Sequence, residues 1–213
     1  MNPVSFAQRR IAGSYTVDPW GLDTDLVELL SPLAGVRWSI EVDGGYHVPG
    51  HGPVVVVFNR RWGLSEPLVV ARALRLATGR WVRVVGIPDV APVGPLLSRL
   101  GAAVDAPAEV AGLLRSGEVV AVPLGRQPGM RRRAGRLAPA LVELAVQHGA
   151  PVLPVVAVGH ELGRRWRVVV GPVVAAPVED TVAPFVTAEL IDRVRVAVQD
   201  LLDGTRPPRR RPW

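Results

Sequence analysis

Few side chains in this sequence are equipped for chemistry, and they cluster after two apolar runs. Asn59, Arg60 and Arg61 follow directly on Pro53-Val-Val-Val-Val-Phe58, and Ser65-Glu66-Pro67 then opens a helical pattern. A parallel strand delivers groups to its carboxyl edge in this way before the chain turns back. The second run, Val119-Val-Ala-Val-Pro123, leads through Leu124 and Gly125 into a loop over 125–136 that holds Arg126, Arg131, Arg132, Arg133 and Arg136. Guanidinium groups converging from two loops of one sheet suit a phosphate or carboxylate, which they bind bidentately. They cannot abstract a proton, because guanidinium has no acceptor lone pair.

A base would have to come from elsewhere, and the four histidines offer little. His47 and His51 precede the 54–58 run, and His51 is expected at the opposite sheet end, roughly 20 Å from Arg60 at ordinary strand rise. His148 ends a helical pattern, where histidine commonly meets terminal carbonyls. His160 follows the run 151–158 and is the histidine expected at the carboxyl edge, as a surface loop residue or a displaced base. Ser65 reads as a helix N-cap with Glu66 and Pro67 in the first turn. Gly63-Leu-Ser-Glu-Pro67 misses a hydrolase elbow, since Pro67 replaces the second glycine and a loop separates the serine from the strand.

Several elements must position these groups. Leu22, Leu26, Leu29, Leu30 and Leu33 predict a helix whose last turn Pro32 frays. Val36, Trp38, Ile40 and Val42 alternate with Arg37, Ser39 and Glu41, as in a half-exposed edge strand. The 54–58 run reads as a central strand buried on both faces. A helix over 66–78 turns Leu68, Ala71, Leu74 and Leu76 inward. Strands follow at 81–85, near Val104, and at 118–123, 151–158 and 166–170. Helices fall before Leu100, from Pro107 to Gly117, at 137–148 and at 188–203. This alternation predicts one α/β domain with a mostly parallel sheet flanked by helices on both faces. Residues 1–14 read as a flexible N-terminus, 15–204 as the domain and 205–213 as a basic Pro/Arg tail.

Composition fits that architecture. The chain has 213 residues, 48% of them hydrophobic, enough for a substantial core. The absence of cysteine removes disulfides, thiolate metal sites and cysteine nucleophiles. The net charge is +6 and every basic residue is arginine. That usage reflects either a GC-rich genome or an anionic partner such as a lipid headgroup or phosphorylated substrate. Nucleic acid is disfavoured, because no aromatic stacking platform accompanies the arginines. The longest apolar stretches, near 150–159 and 168–178, fall short of the roughly 18–20 residues of a membrane-spanning helix. A cytoplasmic protein is expected, peripheral at the inner face of the cell membrane. Trp62, Leu64 and the Pro/Gly-rich segment 86–97 are candidates to meet lipid.

The order of these parts resembles the lysophospholipid (glycerolipid) acyltransferase family, most of all its bacterial members. Tyr15-Thr-Val-Asp-Pro-Trp-Gly21, the 53–67 block, Val119-Val-Ala-Val-Pro-Leu-Gly125 and Pro151-Val-Leu-Pro-Val155 follow in the family's order and spacing, covering roughly residues 15–203. The resemblance implies a glycerol-3-phosphate acyltransferase-like α/β fold. In that family an Asn-His-x4-Asp block supplies a histidine base oriented by an aspartate, and a Pro-Glu-Gly block binds the acceptor. Here Asn59 is kept, but Arg60 stands at the histidine, Ser65 at the aspartate and Leu124 at the glutamate. Glu66, one residue later, is a candidate stand-in for the aspartate. The resemblance therefore implies no catalytic residue of the usual kind and a substrate-binding set of Arg60, Arg61, Ser65, Gly125 and Arg126. It implies no cofactor and no metal, with an acyl-CoA or acyl-carrier-protein thioester as the donor. The partners implied are a glycerolipid or acyl thioester, an anionic membrane surface and an active paralogue. Two functions follow as expectations: a catalytically silent relative that binds acyl groups or anionic lipid, or an acyltransferase working through a non-standard site.

Overall fold

The computed structural model describes residues 3–60, 65–86, 93–125, 133–174 and 184–206. The first half runs α1 (Pro3–Ile11), α2 (Thr24–Arg37), β1 (Ser39–Asp43), β2 (Val54–Phe58), α3 (Ser65–Thr78), β3 (Val82–Val85) and α4 (Val93–Arg99). The second half runs β4 (Ala102–Ala103), α5 (Pro107–Arg115), β5 (Val119–Pro123), α6 (Pro139–Gln147), β6 (Val152–Gly159), β7 (Arg165–Val170) and α7 (Pro184–Gly204).

The strands form one sheet in the order β1-β7-β6-β2-β5-β3-β4. β2 lies between β5 and β6 and is parallel to both, and β3 and β4 continue that direction. β7 is antiparallel to β6, and β1 runs with β7. The carboxyl ends of β2, β3, β5 and β6 therefore share one edge.

β2 is apolar throughout because both its faces are covered. Val55 and Val57 join the core under α5, α6 and α7, where Leu113, Leu141, Val194 and Val198 meet them. Val54, Val56 and Phe58 join the core under α3, with Val70, Ala73, Leu74 and Trp166. Side chains that alternate between two buried faces leave no polar position along the strand. At the sheet edge, β1 alternates exposed and half-buried residues, as its sequence predicts.

Four expectations change. Residues 3–11, read as part of a flexible lead, form α1, whose Arg9 and Arg10 pair with Asp25 and Asp23. α2 continues through Pro32 to Arg37, and Trp38 N–H closes it on Ala34 O at 2.8 Å. Val36 and Arg37 are thus helical, and the edge strand starts at Ser39. Of the leucines that predict this helix, Leu22, just before it, is buried, whereas Leu26, Leu29 and Leu30 are half-buried and Leu33 is exposed. On α3 the inward positions are Val69, Val70, Ala73 and Leu74, whereas Leu76 is 60% exposed.

The lead-in over 15–23 is held by charge and shape. Asp18 Oδ1 accepts from the Trp20 and Leu22 amides, both at 2.9 Å. Its other oxygen pairs with Arg83, a buried β3 side chain that also lies 3.7 Å from Glu118. Burial pulls the Arg83 guanidinium below its ordinary pKa, and Glu118 opposes that shift. Trp20 packs on Gly112 of α5, where a Cβ would lie 2.1 Å from the indole. Near Glu118, at the amino end of the parallel strands, Arg80 donates to the carbonyls of Pro49, Gly52 and Gly117 at 2.8, 2.6 and 2.7 Å, tying its own loop to two others.

Asp18→Asn should destabilise the protein by about 2–4 kcal/mol, because it leaves a buried cation poorly paired. Arg83→Met in the Asp18→Asn background should recover part of the loss. Urea unfolding of the four forms of this cycle measures the coupling, which is zero if the lead-in is held by packing alone.

Candidate functional site

Asn59 fixes the carboxyl edge. The β2–β6 ladder ends in register at Phe58 and Val155. The Asn59 side chain extends it, donating from Nδ2 to Ala157 O at 3.0 Å and accepting the Ala157 amide on Oδ1 at 2.7 Å. On the other side the Leu124 amide donates to Phe58 O at 2.8 Å, extending the β2–β5 pairing. Asn59 is 5% exposed, and its amide supplies the donor and acceptor that this position requires.

Arg60 comes next and is half-buried. Its Nη1 donates to Gly86 O, just past β3, at 3.3 Å. The guanidinium spans from the end of β2 toward the end of β3 and carries fixed positive charge into the position where proton abstraction would need a neutral base.

The helix that follows begins at Ser65. Its amide and hydroxyl both donate to Glu161 Oε1, at 3.0 and 2.8 Å. Glu161 belongs to the β6–β7 turn, whose backbone is held in turn by Arg37. Arg37 donates to Glu161 O at 2.6 Å and to Gly163 O at 2.8 Å. A carboxylate at a helix N-terminus satisfies amide donors and meets the positive end of the helix dipole. Ser65 is thus held by an acidic residue instead of supplying one. Glu66 is 1% exposed in the first turn of α3, so among the described residues the start of α3 has two carboxylates near it, Glu66 and Glu161.

Leu124 faces away from this chemistry. It is 1% exposed and packs in the core under α5 to α7. Gly125 pairs with the returning end of the arginine-rich loop, its amide donating to Arg136 O at 2.8 Å. Gly135 lies so close that a Cβ there would sit 1.7 Å from Gly125 O, so position 135 must be bare. Arg133 and Arg136 are exposed beyond this neck.

Of the substrate-binding set read from sequence, the structure brings Arg60, Ser65 and Gly125 to the edge shared by β2, β3, β5 and β6. Arg61 and Arg126 lie outside the described residues, as do Arg131, Arg132, Trp62, Leu64, residues 87–92 of the 86–97 segment and the tail over 207–213. His160 is at this edge and exposed, with Nδ1 3.3 Å from the Leu162 amide. His47 is bound to Val170 O at 3.0 Å, and His148 caps the end of α6 through its backbone. Sequence reading missed Glu161. Its signal was topological: it follows β6, and β6 adjoins β2. Among the described residues no group of three or more His, Asp or Glu could hold a metal ion. Among them, too, no helix is long and apolar enough to cross a membrane.

No family model matches this chain, and no curated protein matches it in sequence. Among solved structures it is similar to the 1-acyl-sn-glycerophosphate (LPA) acyltransferase PlsC from Thermotoga maritima. The TM-score is 0.59 and the identity 15%, over 87% of this chain and 83% of that chain. At that identity the likeness shows the fold, which is the acyltransferase-like α/β fold that the sequence resemblance implied.

Leu124→Glu, which would restore the family's glutamate, should fail structurally. The side chain points into a closed apolar core, and an unpaired carboxylate there costs several kcal/mol or forces local rearrangement. Thermal unfolding should show a large loss of stability. A tolerated substitution would mean that the β5 end can turn this position to the edge.

Proposed function

We propose that this chain is an acyltransferase-fold protein that binds anionic lipid or acyl groups without the histidine–aspartate proton transfer of active relatives. The observation that carries the reading is the joint state of three positions. Arg60 is a fixed cation reaching Gly86, Ser65 is held by Glu161, and Leu124 is core. Abstraction of a hydroxyl proton needs an acceptor near its own pKa within hydrogen-bond reach, and guanidinium is the reverse of that. What remains suits binding: Arg60 at the edge, the exposed Arg133 and Arg136 at the loop neck, and a net charge of +6.

The ligand class is a glycerolipid or an acyl thioester. An anionic membrane surface and an active paralogue are the corresponding partners, with a peripheral location at the inner face of the membrane. Arg60, Arg61, Ser65, Gly125 and Arg126 form the proposed headgroup site. The basic tail adds affinity of order 1 kcal/mol per arginine near an anionic surface.

A second reading has one specific observation in its favour. Glu66 is buried beside Ser65 and Glu161 is within reach of the same turn. A carboxylate within hydrogen-bond reach of a bound hydroxyl can act as a general base. In that case the protein is an acyltransferase with a non-standard site, moving an acyl chain from thioester to a glycerolipid-type hydroxyl.

Incubation of the purified protein with acyl-CoA or acyl-carrier-protein and lysophosphatidate should give no transfer above the protein-free rate. Vesicles of phosphatidylglycerol should bind the protein, and Arg60→Ala should weaken that binding. Arg60→His combined with Ser65→Asp should gain measurable transfer if the scaffold still seats both substrates. Wild-type turnover abolished by Glu66→Gln or His160→Ala would replace the silent reading with the second one.

A further inference from the structure

A second feature lies away from the carboxyl edge. α2 crosses the outer side of α3, and the facing stripes of the two helices enclose a groove of about 870 Å³. Val27, Leu30 and Ala34 line it from α2, and Leu68, Ala71 and Leu76 from α3. Trp38 and Trp81 also contribute to its wall, and Leu22, Val82 and Leu100 to its floor. None of Asn59, Arg60, Ser65, Glu66, Leu124, Gly125 or Glu161 lines it.

The groove is built by how α2 is fastened. Near its N-terminal end, Asp23 is tied by its amide to Arg99 O and by its carboxylate to Arg10. At the C-terminal end Arg37 is bound to Glu161 O and Gly163 O. Between them Arg72 of α3 reaches across to Ser31 Oγ at 2.9 Å, over Gly35, where a Cβ would lie 3.1 Å from the guanidinium. Two apolar helix stripes ordinarily interdigitate at 8–10 Å between axes. Here they face each other across the groove, which accounts for the absence of any buried leucine on α2.

Dimensions and charge select the occupant. The groove follows α3 from Leu68 to Gly79, about 16 Å at helical rise, and its volume is ample for one hydrocarbon chain. An α-helix laid between α2 and α3 would have to break the Arg72–Ser31 bond that spans them. A single hydrocarbon chain can lie beside that bond. Arg37, Arg72 and Arg75 line the groove with Glu28 as the one acidic residue among them, and Arg75 stacks on Trp81 at 3.8 Å. Guanidinium groups beside an apolar slot match a chain with an anionic head.

We infer that the groove between α2 and α3 binds a single-chain anionic amphiphile, at a site separate from the carboxyl edge. The inference rests on the proposed function only for the chemical class of the ligand. Catalysis would need the acyl carbonyl at the motif edge, and a groove lined by no motif residue keeps the chain intact. The ligand is held and not consumed.

The test uses 9,10-dibromostearate, below its micelle concentration, as a short-range quencher of tryptophan fluorescence. Saturable quenching is expected with wild type, and Trp81→Phe should remove a large part of it. Ala71→Phe, which fills the slot, should weaken the affinity about tenfold or more while circular dichroism stays native. Ala34→Phe on the facing helix serves if that variant misfolds. Competition separates the sources of the chain: displacement by oleate marks a fatty acid site, and displacement by lysophosphatidate alone marks a lysolipid site. Non-saturable quenching, or quenching unchanged by Ala71→Phe and Trp81→Phe, overturns the inference. Quenching lost in Arg60→Ala but kept in Ala71→Phe places the chain at the carboxyl edge, which overturns the groove and leaves the proposed function standing. Failure of vesicle binding with groove quenching intact does the opposite.

Discussion

The side chain of Asn59 is the joint on which the functional edge depends. Parallel strands diverge once their ladder ends, and β2 must release its chain toward α3 without unzipping from β6. Asn59 solves this by pairing with both backbone groups of Ala157 through one planar amide. A buried amide that uses both ends in this way is costly to replace, because any smaller or apolar residue strands a donor and an acceptor. The next residue inherits the geometry. With residue 59 turned to β6, Arg60 is directed to the β3 side, where it meets Gly86. The chain then returns so that Ser65 meets Glu161, on the turn that follows β6.

That geometry holds the edge together with no histidine at position 60 and no carboxylate at 65. The acyltransferases that the sequence resembles have a neutral ring and a carboxylate in the matching block. Here the carboxylate comes from across the turn and is engaged by the first donors of α3. That carboxylate satisfies the first amide donors of the helix and meets the positive end of its dipole. Arg60 contributes a permanent charge, its guanidinium held by the Gly86 carbonyl.

Much of the fold is legible in the chain because burial on two faces leaves a plain mark. β2, β5 and β6 appear as unbroken apolar runs, and the helices between them mark the sheet as mostly parallel. β1 is legible as an edge strand for the opposite reason, its alternation. What the sequence conceals is set by tertiary contacts. The α2 leucines have helical spacing and look like a core stripe, yet the helix is anchored near its ends and borders a groove. Val36 and Arg37 alternate with their neighbours as a strand would, and only the tie of Arg37 to the β6–β7 turn shows why the helix runs one turn longer. Glu161 carries no motif at all. Its role arises from a bond to a residue far away in the chain, 96 positions earlier.

The carboxyl edge and the groove are built largely from different parts of the fold. Positions 60, 65 and 124 lie at the ends of β2 and β5 and the start of α3, whereas the groove is framed by helices that pack outside the sheet. Arg37 joins the two, since it fastens both the α2 end and the turn that carries Glu161, and α3 joins them as well, running from Ser65 at the edge along the groove. A protein built this way can exchange the residues of the edge without collapsing the slot, because the slot depends on the anchoring of α2 and not on side chains at the strand ends. Arg37 fastens the backbone of the turn that carries Glu161, and Glu161 in turn holds the first donors of α3, so one chain of bonds runs from the end of α2 to the start of α3.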